Sequence, residues 1–401
     1  METNLTPEHR NTAAGQEAEA ILRKCTHCGF CLATCPTYQL LGDELDSPRG
    51  RIYLIKQVLE GHTPTGRTRQ HLDRCLTCRS CETTCPSGVE YGKLIDIGRN
   101  LVEAQSGRPP SPIRWGLKRL VPNPGLFAAA LRTGQVFRPV MPGSLAEHVP
   151  ARRPAPAWPE RRSQTRQVVM LKGCVQPGMA PEINPATVAL LDALGIETVP
   201  TREGCCGALD QHLAEPERAR AYMRANIDAW YPAIEAGAEA VVVNASGCGA
   251  LVKEYGYLLR DDPDYAERAA AVAERAVDPV ELLEREVNRL RPAAGMPRRI
   301  AFHSPCSLQH GQKLQGRVEA LLRQVGFELT PVTDPHLCCG SAGTYSILQP
   351  TLSRQLRDRR IDALTGGEPE AIATANIGCL SHLSAASPVP VHHYVAFLEA
   401  A

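Results

Sequence analysis

Cys25-Thr-His-Cys28-Gly-Phe-Cys31-Leu-Ala-Thr-Cys35-Pro36 recurs fifty residues later as Cys75-Leu-Thr-Cys78-Arg-Ser-Cys81-Glu-Thr-Thr-Cys85-Pro86. Both stretches read C-x2-C-x2-C-x3-C-P, the spacing in which three close thiolates wrap one [4Fe-4S] cube and the fourth reaches the neighbouring cube. The pattern therefore assigns Cys25, Cys28, Cys31 and Cys85 to one cluster, and Cys75, Cys78, Cys81 and Cys35 to the other. Each proline locks φ and turns the chain off its loop. Cubes crossed in this way sit close together, which suits one-electron relay. Two independent zinc sites would use four thiolates each, but they give no reason for the C-x3-C-P tail in both copies. His27, inside the first loop, reads as a surface residue or a group tuning the cluster rather than as a ligand.

Between the two loops, Ile52, Ile55, Val58 and Leu59 recur at helical spacing after Pro48, so an amphipathic helix is expected there. Outward from this region the chain runs to 401 residues, with 44 Lys+Arg against 43 Asp+Glu and 16 cysteines. That length calls for two or three domains, and the balanced charge asks for no nucleic acid. The first residues, Met1-Glu-Thr-Asn-Leu5, do not read as a secretory leader, so a reducing compartment is expected, where clustered cysteines serve as metal ligands or redox thiols. No window of 18 residues is free of both charge and proline. Any membrane contact is then expected to be peripheral. From Arg108 to Arg166 there are eleven prolines, eleven Lys/Arg and two acids, Glu147 and Glu160. This segment reads as a linker with short helices around Trp115–Leu120 and Leu126–Leu131. It is either a solvated connector or a basic docking surface for a partner or anionic lipid.

The remaining half repeats itself. Cys174, Cys205, Cys206 and Cys248 recur as Cys306, Cys338, Cys339 and Cys379, displaced by 131 to 133 residues. Apolar runs at Gln167–Leu171, Glu197–Pro200 and Ala240–Asn244 alternate with helical stretches, and the same order returns from Ile300 to Ala375. Strand, helix, strand, helix, strand is the pattern of an α/β unit with a parallel sheet. The cysteines fall at the carboxyl ends of the strands, where such sheets place their sites.

Adjacent cysteines do not pair comfortably with each other, and the flanking glycines are expected to let the backbone approach a bulky inorganic group. Cys174, Cys205, Cys206, Cys248, Cys306, Cys338, Cys339 and Cys379 are thus candidates for a further cluster or zinc. Reactive thiols and buried apolar cysteines remain as alternatives. His303, His336 and His382 stand near the second set and default to satisfied core histidines. Neither G-x-G-x-x-G after a strand nor G-x-x-x-x-G-K-[ST] occurs, so no catalytic residue for two-electron chemistry on an organic substrate is assigned, and the oxidising site is expected on another subunit.

Several segments carry a resemblance beyond spacing: Cys28-Gly-Phe-Cys31, Ala33–Asp46, Pro48–Gly61, His71–Cys78, Ala245-Ser-Gly-Cys-Gly-Ala250 and His336-Leu-Cys-Cys-Gly-Ser-Ala-Gly-Thr-Tyr345. Along essentially its whole length the chain resembles the iron–sulfur subunit of glycolate oxidase (glycolate dehydrogenase). The resemblance implies a multidomain chain: a mainly helical two-[4Fe-4S] ferredoxin-like domain at 1–107, a Pro/Arg-rich linker at 108–166, and two tandem α/β CCG repeats at 167–297 and 298–401, like those of a heterodisulfide reductase subunit. It implies an oxidoreductase complex associated peripherally with the inner membrane. There, two FAD-type flavoprotein subunits oxidise glycolate to glyoxylate, or D-lactate, and this chain carries electrons toward a quinone-type acceptor. The alternatives are the iron–sulfur subunit of a related lactate or glycerol-3-phosphate dehydrogenase, or a CCG-type disulfide reductase. The fullest CCG pattern ends C-x-x-C, whereas Cys248 is followed by Gly-Ala-Leu251 and Cys379 by Leu-Ser-His382. That departure speaks against a five-cysteine cluster and against disulfide-reducing catalysis.

Overall fold

The computed structural model describes residues 1–105, 111–141 and 149–401. The linker's Glu147 and the boundary at residue 107 lie outside them.

The N-terminal region is helical, as expected. Its three longest helices, Ala13–Lys24, Pro48–Leu59 and Tyr91–Gln105, start where the sequence provides caps for the first two: Thr12 accepts from Gly15 N, and Ser47 accepts from Gly50 N with Pro48 in the first turn. The helix expected from the Ile52, Ile55, Val58, Leu59 spacing is the second of these. Its apolar face packs with Ile21, Leu22, Leu94 and Ile95 into one core. Gly98 lets two helices close up, since a Cβ there would stand 2.5 Å from the Ile55 side chain.

Each repeat forms a four-stranded parallel sheet. β1 (Arg166–Met170), β2 (Ile196–Val199), β3 (Ala240–Val242) and β4 (Ala276–Val277) lie in the order β2-β1-β3-β4. β6 (Arg299–His303), β7 (Glu328–Leu329), β8 (Ala371–Thr374) and β9 (Val391–His393) lie in the order β7-β6-β8-β9. Val168, Val169 and Met170 are all buried, as are Ala371 through Thr374, because helices cover both faces of a parallel sheet. β4 and β9 add a fourth strand to each expected trio; two or three residues long, they carry no periodicity to read. The order in which strands are added reverses between β1 and β3, and again between β6 and β8. Open sheets bind their ligands outside the carboxyl ends at such points.

β5 (Leu290–Pro292) pairs antiparallel with the C-terminal β10 (Leu398–Ala400), so the end of the second repeat returns to the end of the first. Beside this seam, Asp278 caps the helix Pro279–Leu283, and its Oδ1 accepts from Val280 N and from Tyr394 Oη, the latter at 2.8 Å. The linker forms helices Pro112–Leu120 and Pro124–Phe137. The first is no free connector: Arg114 reaches Asp73 at 3.4 Å and Leu213 O at 3.3 Å, and Lys118 reaches Glu215 at 2.8 Å, stapling the helical region to the first repeat.

Full burial pushes the Asp278 carboxyl up to about 7. An acid whose folded value lies above its unfolded one binds more protons when folded, so stability drops as pH rises from about 4 through 7, by up to about 1.4 kcal/mol per unit. Asp278→Asn should flatten this part of the profile. Urea unfolding of the intact protein at pH 5.5 and 8 checks it, and equal pH sensitivity of variant and wild type would contradict it.

Candidate metal centres

The two N-terminal loops adopt one conformation. His27 (φ 55°) and Gly29 (φ 87°) in the first correspond to Thr77 (φ 54°) and Arg79 (φ 61°) in the second. These left-handed residues turn backbone N–H groups toward sulfur: Thr77 N donates to Cys75 Sγ at 3.4 Å, and the Phe30 N–H holds the exposed Cys28 thiol below its ordinary range. Only glycine takes this conformation without strain, and His27, Thr77 and Arg79 take it nonetheless.

Cys25, Cys28, Cys31 and Cys85 line one pocket. Burial raises the Cys25 thiol, with Cys85 and Cys28 adding to the shift. Burial likewise pushes the Cys81 thiol well up, followed by Cys78, Cys75, Glu82 and Cys35. Cys85 lines that pocket with the first loop's three cysteines, as does Cys81 of the second motif, and Cys35 is among the groups that raise the Cys81 thiol. Among the described residues, three ligand atoms within 4.8 Å of one another occur only at His303, Cys339 and Cys379, and at Asp43, Asp46 and His71. Neither N-terminal quartet is that tight. Four sulfurs around one zinc, each about 2.3 Å from it, would be; the quartets are open enough for a larger group. His27 stands half-buried on the first pocket's wall beside Arg49.

The second quartet is clamped from behind. Arg99 donates to Thr77 Oγ1 at 2.8 Å and to Cys75 O at 2.6 Å, and the buried Tyr91 hydroxyl donates to Cys75 Sγ at 3.6 Å. Neither residue was singled out in the sequence, since only tertiary packing brings their helix behind the loop. In front, the same loop docks on both repeats. Arg79 pairs with Glu254 of the first, while Thr83 meets His310 Nδ1 at 2.9 Å and Arg74 O accepts from Tyr345 at 3.2 Å in the second. Leu76 and Cys78 pack with Cys306, Cys338, Tyr345 and Leu356 in one apolar cluster.

The repeat cysteines converge as the repeat analysis requires. Cys174 follows β1 and Cys248 follows β3, on the two sides of the reversal point; Cys306 and Cys379 stand in the same way after β6 and β8. In the first set, Cys174 and Cys206 donate to Cys205 and pull its thiol down, and Cys206 also contacts Cys248. In the second set, Cys306 donates to Cys338 at 3.7 Å, and sulfur contacts continue from Cys338 to Cys339 and from Cys339 to Cys379. Both sets open on a single cavity of about 950 Å³, which Cys75 and Cys78 also line.

The glycines that close the two Cys-Cys-Gly motifs also shape the backbone locally. Gly207 (φ 93°) and Gly340 (φ 86°) are left-handed, and each donates its N–H to the first sulfur of its pair at 3.4 Å. A Cβ on Gly340 would come within 2.6 Å of Ser353 O. This close approach is to a neighbouring helix.

The three histidines separate. His336 accepts from His310 through its carbonyl, and His382 Nε2 meets Ser353 Oγ at 3.1 Å. His303, fully buried, has a ring nitrogen within 4.8 Å of the Cys339 and Cys379 sulfurs, and burial together with Arg360 holds it well below the usual histidine range. Asn376, unremarked in the sequence, donates to Cys379 Sγ at 3.6 Å; comparing the repeats position by position, where Ala245 is its counterpart, would have singled it out.

Comparison with known proteins agrees with this layout. A 4Fe-4S dicluster domain matches residues 21–89, and a cysteine-rich domain matches residues 168–253 and 300–384. "Lactate utilization protein A" of Geobacillus thermodenitrificans is 30% identical over 230 residues, covering 54% of this chain and 92% of that protein. The "Probable glycolate oxidase iron-sulfur subunit" of Bacillus subtilis is 33% identical over 399 residues, 90% of this chain and 88% of that one. The "Glycolate oxidase iron-sulfur subunit" of Escherichia coli is 55% identical over 406 residues, 100% of this chain and 99% of that one. Identity sustained through both loops and both repeats places this chain in the family of glycolate oxidase iron–sulfur subunits.

Proposed function

We propose that this chain carries electrons from two FAD-type flavoprotein subunits, which oxidise glycolate to glyoxylate or act on D-lactate, toward a quinone-type acceptor. The observation that carries this reading is the continuous series of thiol sets. It runs from exposed Cys28 through the N-terminal quartets to Cys78, against Cys306 and Cys338, and on to the cavity shared with Cys174, Cys205, Cys206 and Cys248.

Cys25, Cys28, Cys31 and Cys85 would hold one [4Fe-4S] cluster, and Cys75, Cys78, Cys81 and Cys35 a second. The open, all-thiol quartets support both. Cys174, Cys205, Cys206 and Cys248, and Cys306, Cys338, Cys339 and Cys379, would hold further iron–sulfur groups. When bound, such groups take up and release one electron at a time. The chain's own residues donate backbone N–H bonds to the sulfurs, and at the first pocket's rim the exposed Cys28 and Phe30, the latter 63% exposed, would face a partner.

The same reading divides the chain at 1–107, 108–166, 167–297 and 298–401. No helix among the described residues is long and apolar enough to cross a membrane. Exposed Ile113, Trp115, Leu126, Phe137 and Val140, interspersed with Arg119, Arg132 and Arg138, support peripheral association with the inner membrane.

Iron analysis tests the assignments. Cys28→Ser should lose up to about four iron per chain, and a joint Cys338→Ser, Cys339→Ser variant should lose iron beyond the roughly eight of the two N-terminal clusters. A wild type with about eight iron and stoichiometric zinc would refute iron in the repeats. The purified chain should show cluster absorption but no glycolate oxidation until the flavoproteins that co-purify with it are added back; turnover by the chain alone would overturn the proposed role.

A further inference from the structure

The two repeats share topology and cysteine spacing but differ in what stands behind the sulfurs. Three residues before the leading cysteine, the first repeat has Leu171 and the second has His303; three before the last, the first has Ala245 and the second Asn376. In both places an apolar side chain is replaced by one that can donate a hydrogen bond.

His303 is fully buried at the end of β6, and its Nδ1 faces Arg360 Nε at 3.0 Å. A guanidinium only donates, so Nδ1 must accept, and the ring proton therefore sits on Nε2. Nε2 has no hydrogen-bond partner among the described residues, while the ring stands beside the Cys339 and Cys379 sulfurs. A buried N–H without a partner costs free energy, and a thiolate here would supply the acceptor. The same tautomer argues against His303 as a ligand, which would need a lone pair on Nε2. Asn376 already donates to Cys379 Sγ at 3.6 Å, and its Oδ1 accepts from Gly247 N at 3.2 Å, so the amide is oriented by the first repeat. Arg360 is itself fixed by bonds to Thr333 O at 3.3 Å and Asp334 O at 2.9 Å.

We propose that His303 and Asn376 are positioning residues that donate N–H···S bonds to the Cys339 and Cys379 thiolates, making the second repeat's centre easier to reduce than the first's. Donors to cluster sulfurs offset the negative charge gained on reduction, and so raise the potential. Leu171 and Ala245 offer none. Electrons reaching the shared cavity would therefore settle on the Cys306, Cys338, Cys339 and Cys379 side, the side packed against Cys78.

This inference rests on the reading that the repeats hold iron–sulfur groups, and the test separates the two. Iron and acid-labile sulfide are counted, and midpoint potentials measured by spin-resonance titration, for the full chain and its variants. His303→Leu should keep the wild-type iron content while one midpoint falls by about 59 mV, a tenfold change in its reduction equilibrium. His303→Gln, which returns an N–H near the Nε2 position, should recover most of the shift. Asn376→Ala, which opens no large buried hole, should move the same midpoint downward and serves if His303→Leu does not fold. Unchanged midpoints in His303→Leu and Asn376→Ala would overturn the proposal. Loss of iron in His303→Leu equal to that in Cys379→Ser would also overturn it, by making His303 a ligand. If the Cys338→Ser, Cys339→Ser variant keeps all the wild-type iron, the underlying reading fails instead.

Discussion

A buried ion pair holds the N-terminal loops in register. Asp46 and Arg51 are both inaccessible to water; Arg51 Nη2 donates to Asp46 Oδ1 at 3.2 Å, Nη1 to Thr37 Oγ1 at 3.1 Å and Nε to His71 O at 2.7 Å, while Arg74 reaches Asp46 Oδ2 at 2.8 Å. Removing two charges from water is costly, and only this near-complete set of partners offsets it. The arrangement gains specificity of placement: Thr37 lies two residues after Cys35, Arg74 immediately precedes Cys75, and His71 lies four residues before it. One guanidinium thus brings the tail of the first motif, with Cys35, against the start of the second.

Everything beyond depends on that loop being in place. Its outer side presents Leu76 and Cys78 to the second repeat, and Arg79 pairs with Glu254 of the first. Tyr257 and Arg260 add bonds to Glu17, and His212 lies 3.2 Å from Asp96, so the helical region is fastened to the first repeat at several separated points. For an electron-transfer subunit such docking matters because the thiol sets must keep fixed separations. The β5–β10 pairing and the Asp278–Tyr394 bond do the same between the repeats.

Duplication supplied two equal frameworks, and the differences lie where the framework does not constrain the side chain. Gly207 and Gly340 stay glycine because a left-handed turn and a close helix leave room for nothing else. Leu171, just beyond β1, and His303, at the end of β6, are both buried, yet one is apolar and the other carries a ring nitrogen beside the repeat's sulfurs. The Cys-Cys-Gly signature therefore reports folding as much as it reports a site.

Much was legible in the chain itself. The C-x2-C-x2-C-x3-C-P spacing marked the two motifs of a 4Fe-4S dicluster domain, because ligand loops are local and their spacing is set by the group they wrap. The constant displacement between cysteine sets determined two α/β units, and the Ile52 to Leu59 period determined the helix between the loops. The short strands β4 and β9 were not legible, since two or three residues carry no period. Nor was the contact of Cys78 with Cys306 and Cys338, more than two hundred residues away in sequence, or the placing of Tyr91 and Arg99 behind Cys75. Only the tertiary structure decided these, because burial and docking depend on how faces of remote segments meet. His303 shows the division most plainly: the sequence could name it as a histidine near a cysteine set, but that its Nδ1 faces Arg360 is settled by packing alone.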